Sequence, residues 1–238
     1  MTLSVLEHVQ KALKTFRLFI VYETFRFYGG GLVVMDVTDD DRSEYPNQRW
    51  SVLFDTQSPK RPTRILRPVE FEVLLEGAQW IHNQVRLKVA LITGMRYKEL
   101  RQLHLHPEWY DKNDNIILIN ETKPARRSRR RYIRLPDIGR EIMGTFFSLG
   151  LKFPSHQTWH ENLRKWAVNE GLSPAYLNSR TTRKTWECWL TYAFPDKRDM
   201  IVLNQGHTSE TSLKHYLNIP FTEEDIVKMR YWVQGWDK

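Results

Sequence analysis

Four short stretches hold residues whose types and spacing could act together on a phosphate. In Leu203–Tyr216, a Gly-His turn places His207 nine positions ahead of Tyr216. Thr208 or Ser209 can N-cap a short helix between them. Such a helix would carry the phenol at its far end while the imidazole stays at the turn, so both can face one site. In Thr93-Gly94-Met95-Arg96-Tyr97-Lys98-Glu99-Leu100, an arginine follows two residues after a glycine. The glycine can end a helix with positive φ, and the break aims Arg96 into a cleft. Arg180 and Arg183 stand three apart at a helix start, which sets both on one face. Two such guanidiniums repel unless an anion lies between them, and a phosphate accepts bidentate bonds from them. Finally, Lys123, Arg126, Arg127, Arg129, Arg130 and Arg131 crowd one segment between two β-like runs, a row suited to phosphate backbone contact.

Each stretch also has a plain structural alternative. A tyrosine ending a helix can simply pack, Arg96 can be a surface residue at a helix junction, and Arg180 and Arg183 can be a solvated helix start. The arginine-rich run can be an unstructured tip. Two histidine pairs, His104 with His106 and His156 with His160, lack both a Glu-containing metalloprotease pattern and a nearby cysteine, so no metal is expected. No Gly-x-Ser-x-Gly elbow and no Walker loop occur, which removes hydrolase and nucleotidase readings.

The composition agrees with a polyanionic partner. The 238 residues carry a formal charge of +8, with nucleic acid favoured over a membrane surface. The excess is local. From Glu121 to Arg134 there are seven Lys/Arg against one Glu, whereas Met1 to Ser58 has six Lys/Arg against eight Asp/Glu. Hydrophobic residues make up 41% and there are nine tryptophans, enough for a core. A single cysteine, Cys188, excludes an intrachain disulfide framework and fits a reducing compartment. The apolar run Leu18 to Tyr22 is too short to span a bilayer, and the N-terminus shows no signal-peptide pattern. A cytoplasmic or nucleoid-associated protein with no membrane partner is therefore expected.

The elements that must position these residues follow from periodicity. Leu6, Val9, Leu13, Phe16 and Ile20 mark an amphipathic helix from Leu3 to about Arg26, ended by Gly29-Gly30-Gly31. Leu32–Met35 and Ser51–Phe54 read as strands joined by a solvated acidic turn. Residues 1–58 thus form a short helix plus β-hairpin region. Residues 59–67, with their prolines and basic residues, read as a linker. Beyond it a helix runs from Pro68 through Ile81, a second from Val85 to Thr93, stopped by Gly94, and a third from near Arg96. Ile116–Ile119 and Tyr132–Leu135 read as a hairpin with a long arginine-rich tip. Asp137–Phe147, His160–Asn169 and Thr181–Tyr192 are helical by pattern. Thr222 caps a last helix with Ile226, Met229 and Val233 as its apolar stripe. The expected fold class is mostly α with a small antiparallel β-sheet or hairpin.

In order, these pieces resemble the catalytic domain of tyrosine recombinases, the lambda-integrase-like and Xer-like enzymes, from about Arg67 to the C-terminus, or residues 68–238 as a domain. The family's Thr-Gly-(Leu/Met)-Arg-x-x-Glu-Leu box is matched by Thr93 to Leu100, which gives Arg96 its role. Its hairpin lysine is matched by Lys123, its His-or-Lys-x-x-Arg box by Arg180 to Arg183, and its Gly-His box and nucleophilic tyrosine by His207 and Tyr216. The resemblance implies a site-specific recombinase or integrase that cleaves and rejoins duplex DNA through a 3′-phosphotyrosine, without cofactor or metal. It also implies a homo-oligomer, a tetramer on DNA, assembled through the C-terminal helix. Arg180 departs from the pattern, since an arginine donates hydrogen bonds but does not act as a base. Asn204-Gln205-Gly206 departs mildly from the usual Leu-Gly. The family's helical core-binding domain is replaced by about 65 mixed, slightly acidic residues, in keeping with a shortened or divergent integrase of an archaeal or viral lineage. The rival readings are a non-cleaving DNA-binding protein on the same fold, a type IB topoisomerase-like enzyme, and a soluble interaction protein that matches the boxes by accident.

Overall fold

Pro68 opens the first helix of the arginine-bearing region because its missing N–H and fixed φ suit a helix start. Glu70 completes that start by accepting the backbone N–H of Arg67 at 2.9 Å. The computed structural model of the chain describes residues 32–35, 44–46, 52–55, 62–121, 129–197, 199–201 and 221–236. Within them lie strands β1 (Leu32–Met35), β2 (Val52–Asp55) and β3 (Thr63–Ile65), helices α1 (Pro68–Gly77), α2 (Ile81–Thr93) and α3 (Tyr97–Gln102), and strands β4 (Tyr110–Asp111), β5 (Ile116–Glu121) and β6 (Arg129–Arg134). Helices α4 (Gly139–Ser148), α5 (His156–Asn169), α6 (Thr181–Ala193) and α7 (Glu223–Val233) complete the set. The architecture is mostly helical with small antiparallel sheets, β1-β2-β3 and β4-β5-β6. The expected N-terminal helix from Leu3 to Arg26 lies outside the described residues.

Helix α6 is the spine. It packs against β3, α2 and α7, while α1 packs on α5 and α2 on α4. Its Trp186 and Trp189 are fully buried, as are Trp159 of α5 and Trp236 just after α7. Trp189 donates its indole N–H to the Leu66 carbonyl at 2.9 Å, and Thr185 accepts the Leu66 N–H at 3.0 Å. Two polar side chains of α6 thus satisfy the backbone next to β3, where a missing partner would leave buried polar groups unpaired.

That packing corrects the reading of residues 59–67 as a linker over 62–67, while 59–61 lie outside the described residues. Thr63–Ile65 is a buried strand paired with β2, Leu53 facing Ile65. Arg64 of the strand and Arg67 after it are part of the interior: Arg64 bonds Glu70 at 2.9 Å with both side chains buried, and Arg67 bonds Asp225 of α7 at 3.1 Å. Three further boundaries differ from the periodicity. The helix expected to run to Ile81 stops at Gly77, where an added Cβ would meet the Trp166 carbonyl oxygen at 2.1 Å. The next helix begins at Ile81, and α5 begins earlier than expected because Ser155 caps it by accepting the Thr158 N–H at 3.1 Å.

Helix α7 starts as anticipated, with Thr222 and Asp225 exchanging capping bonds of 3.1 Å. Its apolar face is occupied within the chain. Met229, Trp232 and Val233 are buried, and Trp232 sits edge-on to Phe71 of α1. Met229 and Val233 of the expected stripe thus pack within the chain, and Ile226 is half-buried. Among the described residues, no helix is long and apolar enough to cross a membrane.

Candidate functional site

The site starts at the end of α2. Gly94 takes the left-handed conformation, φ 52° and ψ 20°, and its N–H closes on the Leu91 carbonyl at 3.2 Å. A side chain here would collide with the Trp186 ring, since an added Cβ would lie 2.2 Å from the nearest ring atom. The turn reverses the chain so that Arg96, extended at φ −64° and ψ 145°, becomes the N-cap of α3. It also directs the Gly94 carbonyl at α6, where Arg183 donates Nη1–H to it at 2.6 Å. One glycine thereby fixes two arginines that lie far apart in the chain.

Glu99 adds a third. Its Oε2 accepts the Arg96 backbone N–H at 2.7 Å, and its Oε1 pairs with Arg96 Nη1 at 3.1 Å. The same Oε2 pairs with Arg131 Nη2 at 2.6 Å. Arg131 reaches inward from β6, where it lies opposite Ile119 in the ladder. Only 3% of its side chain is exposed, against 36% for Arg96, so Arg96 is the member of the pair that a ligand can touch. From α6, Lys184 pairs with the buried Glu187 at 3.0 Å.

The electrostatics confirm that these groups share one neighbourhood. Burial lowers the Arg183 pKa to about 10; the Glu187 carboxylate opposes the shift, Arg131 and Arg96 deepen it, and Glu99 opposes it. Arg183 therefore stays charged at neutral pH while desolvated and pressed by two other guanidiniums. Among the described residues, Arg96, Arg131, Arg183 and Lys184 gather around the carboxylates of Glu99 and Glu187. Guanidinium groups brought together in this way can donate bidentate bonds to a phosphate.

The residues named from the sequence divide into three groups. Arg96 and Arg183 are brought together. Arg180 stands at the N-terminus of α6, exposed, with its N–H bonded to Asn178 Oδ1 at 2.9 Å. Lys123, Arg126, Arg127, His207 and Tyr216 lie outside the described residues. Arg129 and Arg130 belong to β6, which begins three residues earlier than the pattern suggested. Arg131, grouped from the sequence with the exposed tip, is instead an interior strand residue. The alternation carried the signal: Arg131, Ile133 and Leu135 are all buried while Tyr132 is exposed, the two-residue period of one strand face. Glu99 was visible only as part of its box, and Glu187 gave no signal of its own.

Other candidates resolve into structure. Tyr97, next to Arg96, donates its hydroxyl to the Pro154 carbonyl at 3.0 Å, and burial pushes its pKa well up. His106 stacks on Trp109 and bonds Glu108 at 2.8 Å, while His156 bonds Ser179 at 2.5 Å. Among the described residues no group of three or more His, Cys, Asp or Glu could hold a metal ion. No family model matches the chain, and no curated protein or solved structure matches it.

Proposed function

We propose that the chain is a tyrosine-type site-specific DNA recombinase, an integrase that breaks and rejoins duplex DNA through a 3′-phosphotyrosine. The observation that carries this reading is the convergence of Arg96 and Arg183 through Gly94, across a separation of 89 residues between Gly94 and Arg183. The Tyr216 phenol releases its proton to solvent as its oxygen attacks the scissile phosphorus, the bond to the 5′ oxygen breaks, and the phosphate stays on the tyrosine as a diester. Lys123 gives a proton to the leaving 5′ oxygen, and His207 orients the phenol or holds the phosphate. The guanidiniums of Arg96 and Arg183 stabilise the charge that gathers on the nonbridging oxygens. The diester conserves bond energy, so religation runs as the reverse attack by a 5′ hydroxyl and needs no nucleotide. Arg126, Arg127, Arg129 and Arg130 lie along the flanking backbone, and the enzyme works as a homo-oligomer on DNA.

A nicked suicide duplex tests the reading, because loss of the short 5′ fragment traps the covalent intermediate. The wild type accumulates an adduct and Tyr216→Phe accumulates none while still binding the duplex. An adduct that persists in Tyr216→Phe overturns the assignment.

A second reading has one observation in its favour. Arg180 occupies the position where the family carries His or Lys, and a guanidinium does not exchange a proton near neutral pH. A DNA-binding protein on the same fold that no longer cuts would tolerate that substitution. It predicts duplex binding with no adduct from the wild type.

A further inference from the structure

The β4-β5-β6 sheet has a second face, turned away from the core. Side chains alternate along a strand, so β6 buries Arg131 and Ile133 and presents Tyr132 and Arg134 on the other side. The ladder sets Tyr132 opposite Leu118 and Arg134 opposite Ile116, and both β5 residues are half-buried. Tyr132 itself is 44% exposed. An aromatic ring therefore lies open beside an aliphatic strip, with Arg134 two residues, or about 7 Å, further along the strand. Arg130 holds the matching strand position on the other side, opposite Asn120. Arg134 is half-buried and has no ion pair among the described residues. Asp111 stands on β4, opposite Ile116, so the cationic side of this face runs along β6.

A tyrosine here has a structural use, since a cross-strand pair with Leu118 supports the ladder. That pair does not need arginines on either side, and phosphate alone does not need the ring. A polyanion with flat, apolar faces uses both. A single strand of nucleic acid is such a ligand: its bases stack on aromatic side chains while its phosphates meet the cations. In a duplex the base faces are already covered by their neighbours. The geometry points to a site for unpaired nucleotides on the outer face of β5 and β6, with one base stacked on Tyr132 and the adjoining phosphate on Arg134. The proposed reaction gives such a site a use, because passing a cut strand to another duplex unpairs the bases beside the cut. That use rests on the recombinase reading; the binding does not.

Fluorescence anisotropy of the full chain with three probes tests the inference: a short oligothymidylate, an abasic strand of equal length and charge, and a blunt duplex. The wild type binds oligothymidylate more tightly than the abasic strand. Tyr132→Ala weakens oligothymidylate about 5- to 150-fold, the range for one stacked base, and leaves the abasic strand and the duplex unchanged. The retained duplex binding shows that this variant is folded. Tyr132→Phe keeps the wild-type preference, since the ring and not the hydroxyl stacks. Arg134→Gln lowers the slope of log affinity against log salt for oligothymidylate by about 0.7.

Equal affinity of the wild type for the two single strands overturns the inference and makes the face a general polyanion surface. Equal weakening of oligothymidylate and duplex in Tyr132→Ala overturns it as well. Base-dependent binding by a wild type that forms no adduct on the suicide duplex removes the recombinase reading and leaves this site standing. An adduct without base-dependent binding does the reverse.

Discussion

Gly94→Ala puts the site's construction to its hardest test. The substitution adds one methyl group, and the structure gives two separate costs. At φ +52° an alanine occupies the left-handed region, at about 1–2 kcal/mol. Its Cβ would lie 2.2, 2.3 and 2.8 Å from three ring atoms of Trp186, a fully packed side chain of α6. Relieving that overlap by moving ring or backbone costs about 1–3 kcal/mol more. The sum, about 2–5 kcal/mol, is a large share of the stability of an ordinary domain. Urea unfolding followed by tryptophan fluorescence reads it directly, because Trp186 is one of the reporters. The natural control is Gly144→Ala in α4, where an added Cβ meets nothing within 4 Å. That change should be neutral or stabilise by up to about 1 kcal/mol, as alanine is the better helix former. The same Gly94 substitution moves the carbonyl that holds Arg183 at 2.6 Å, so under conditions where the variant is still folded it should form adduct more slowly than the wild type. A Gly94→Ala loss below about 1 kcal/mol, comparable to a generic surface change, refutes the packing argument.

Two other outcomes follow from the charges. Replacing Arg126, Arg127, Arg129 and Arg130 by glutamine should reduce the slope of log affinity against log salt by about 0.9 for each phosphate that is no longer neutralised, and an unchanged slope would place those side chains away from the backbone. Arg64→Met should cost about 3–5 kcal/mol in chemical denaturation, because it leaves Glu70 as a buried carboxylate without its partner at 2.9 Å. A loss under about 1 kcal/mol would mean that the pair is open to water.

Local signals carried much of the fold. The glycine that ends α2, the Thr222 capping box of α7 and the apolar runs of β5 and β6 are short-range features, and each lies where its residues suggest. What failed was set by distant partners. Thr63–Ile65 sits among prolines and arginines, a composition that reads as solvated. Its arginines go inward only because Glu70 neutralises Arg64 and Asp225, 158 residues away, meets Arg67. Arg131 was misplaced for a similar reason, since a run of arginines hides the two-residue alternation, and the Glu99 carboxylate that accepts it is 32 residues distant. That Arg96 and Arg183 share a site was expected from the resemblance, whereas spacing alone paired Arg183 with Arg180. The manner of it, through the Gly94 carbonyl and a shared glutamate, was not legible, because a backbone carbonyl leaves no mark in a sequence.

The most direct measurement is to trap the protein on a suicide duplex, digest it, and identify by mass spectrometry the residue that carries the 3′ phosphate. The account predicts a single modified peptide, with the nucleotide on Tyr216. A nucleotide attached to any other residue, or a duplex that is bound and never joined, would contradict it.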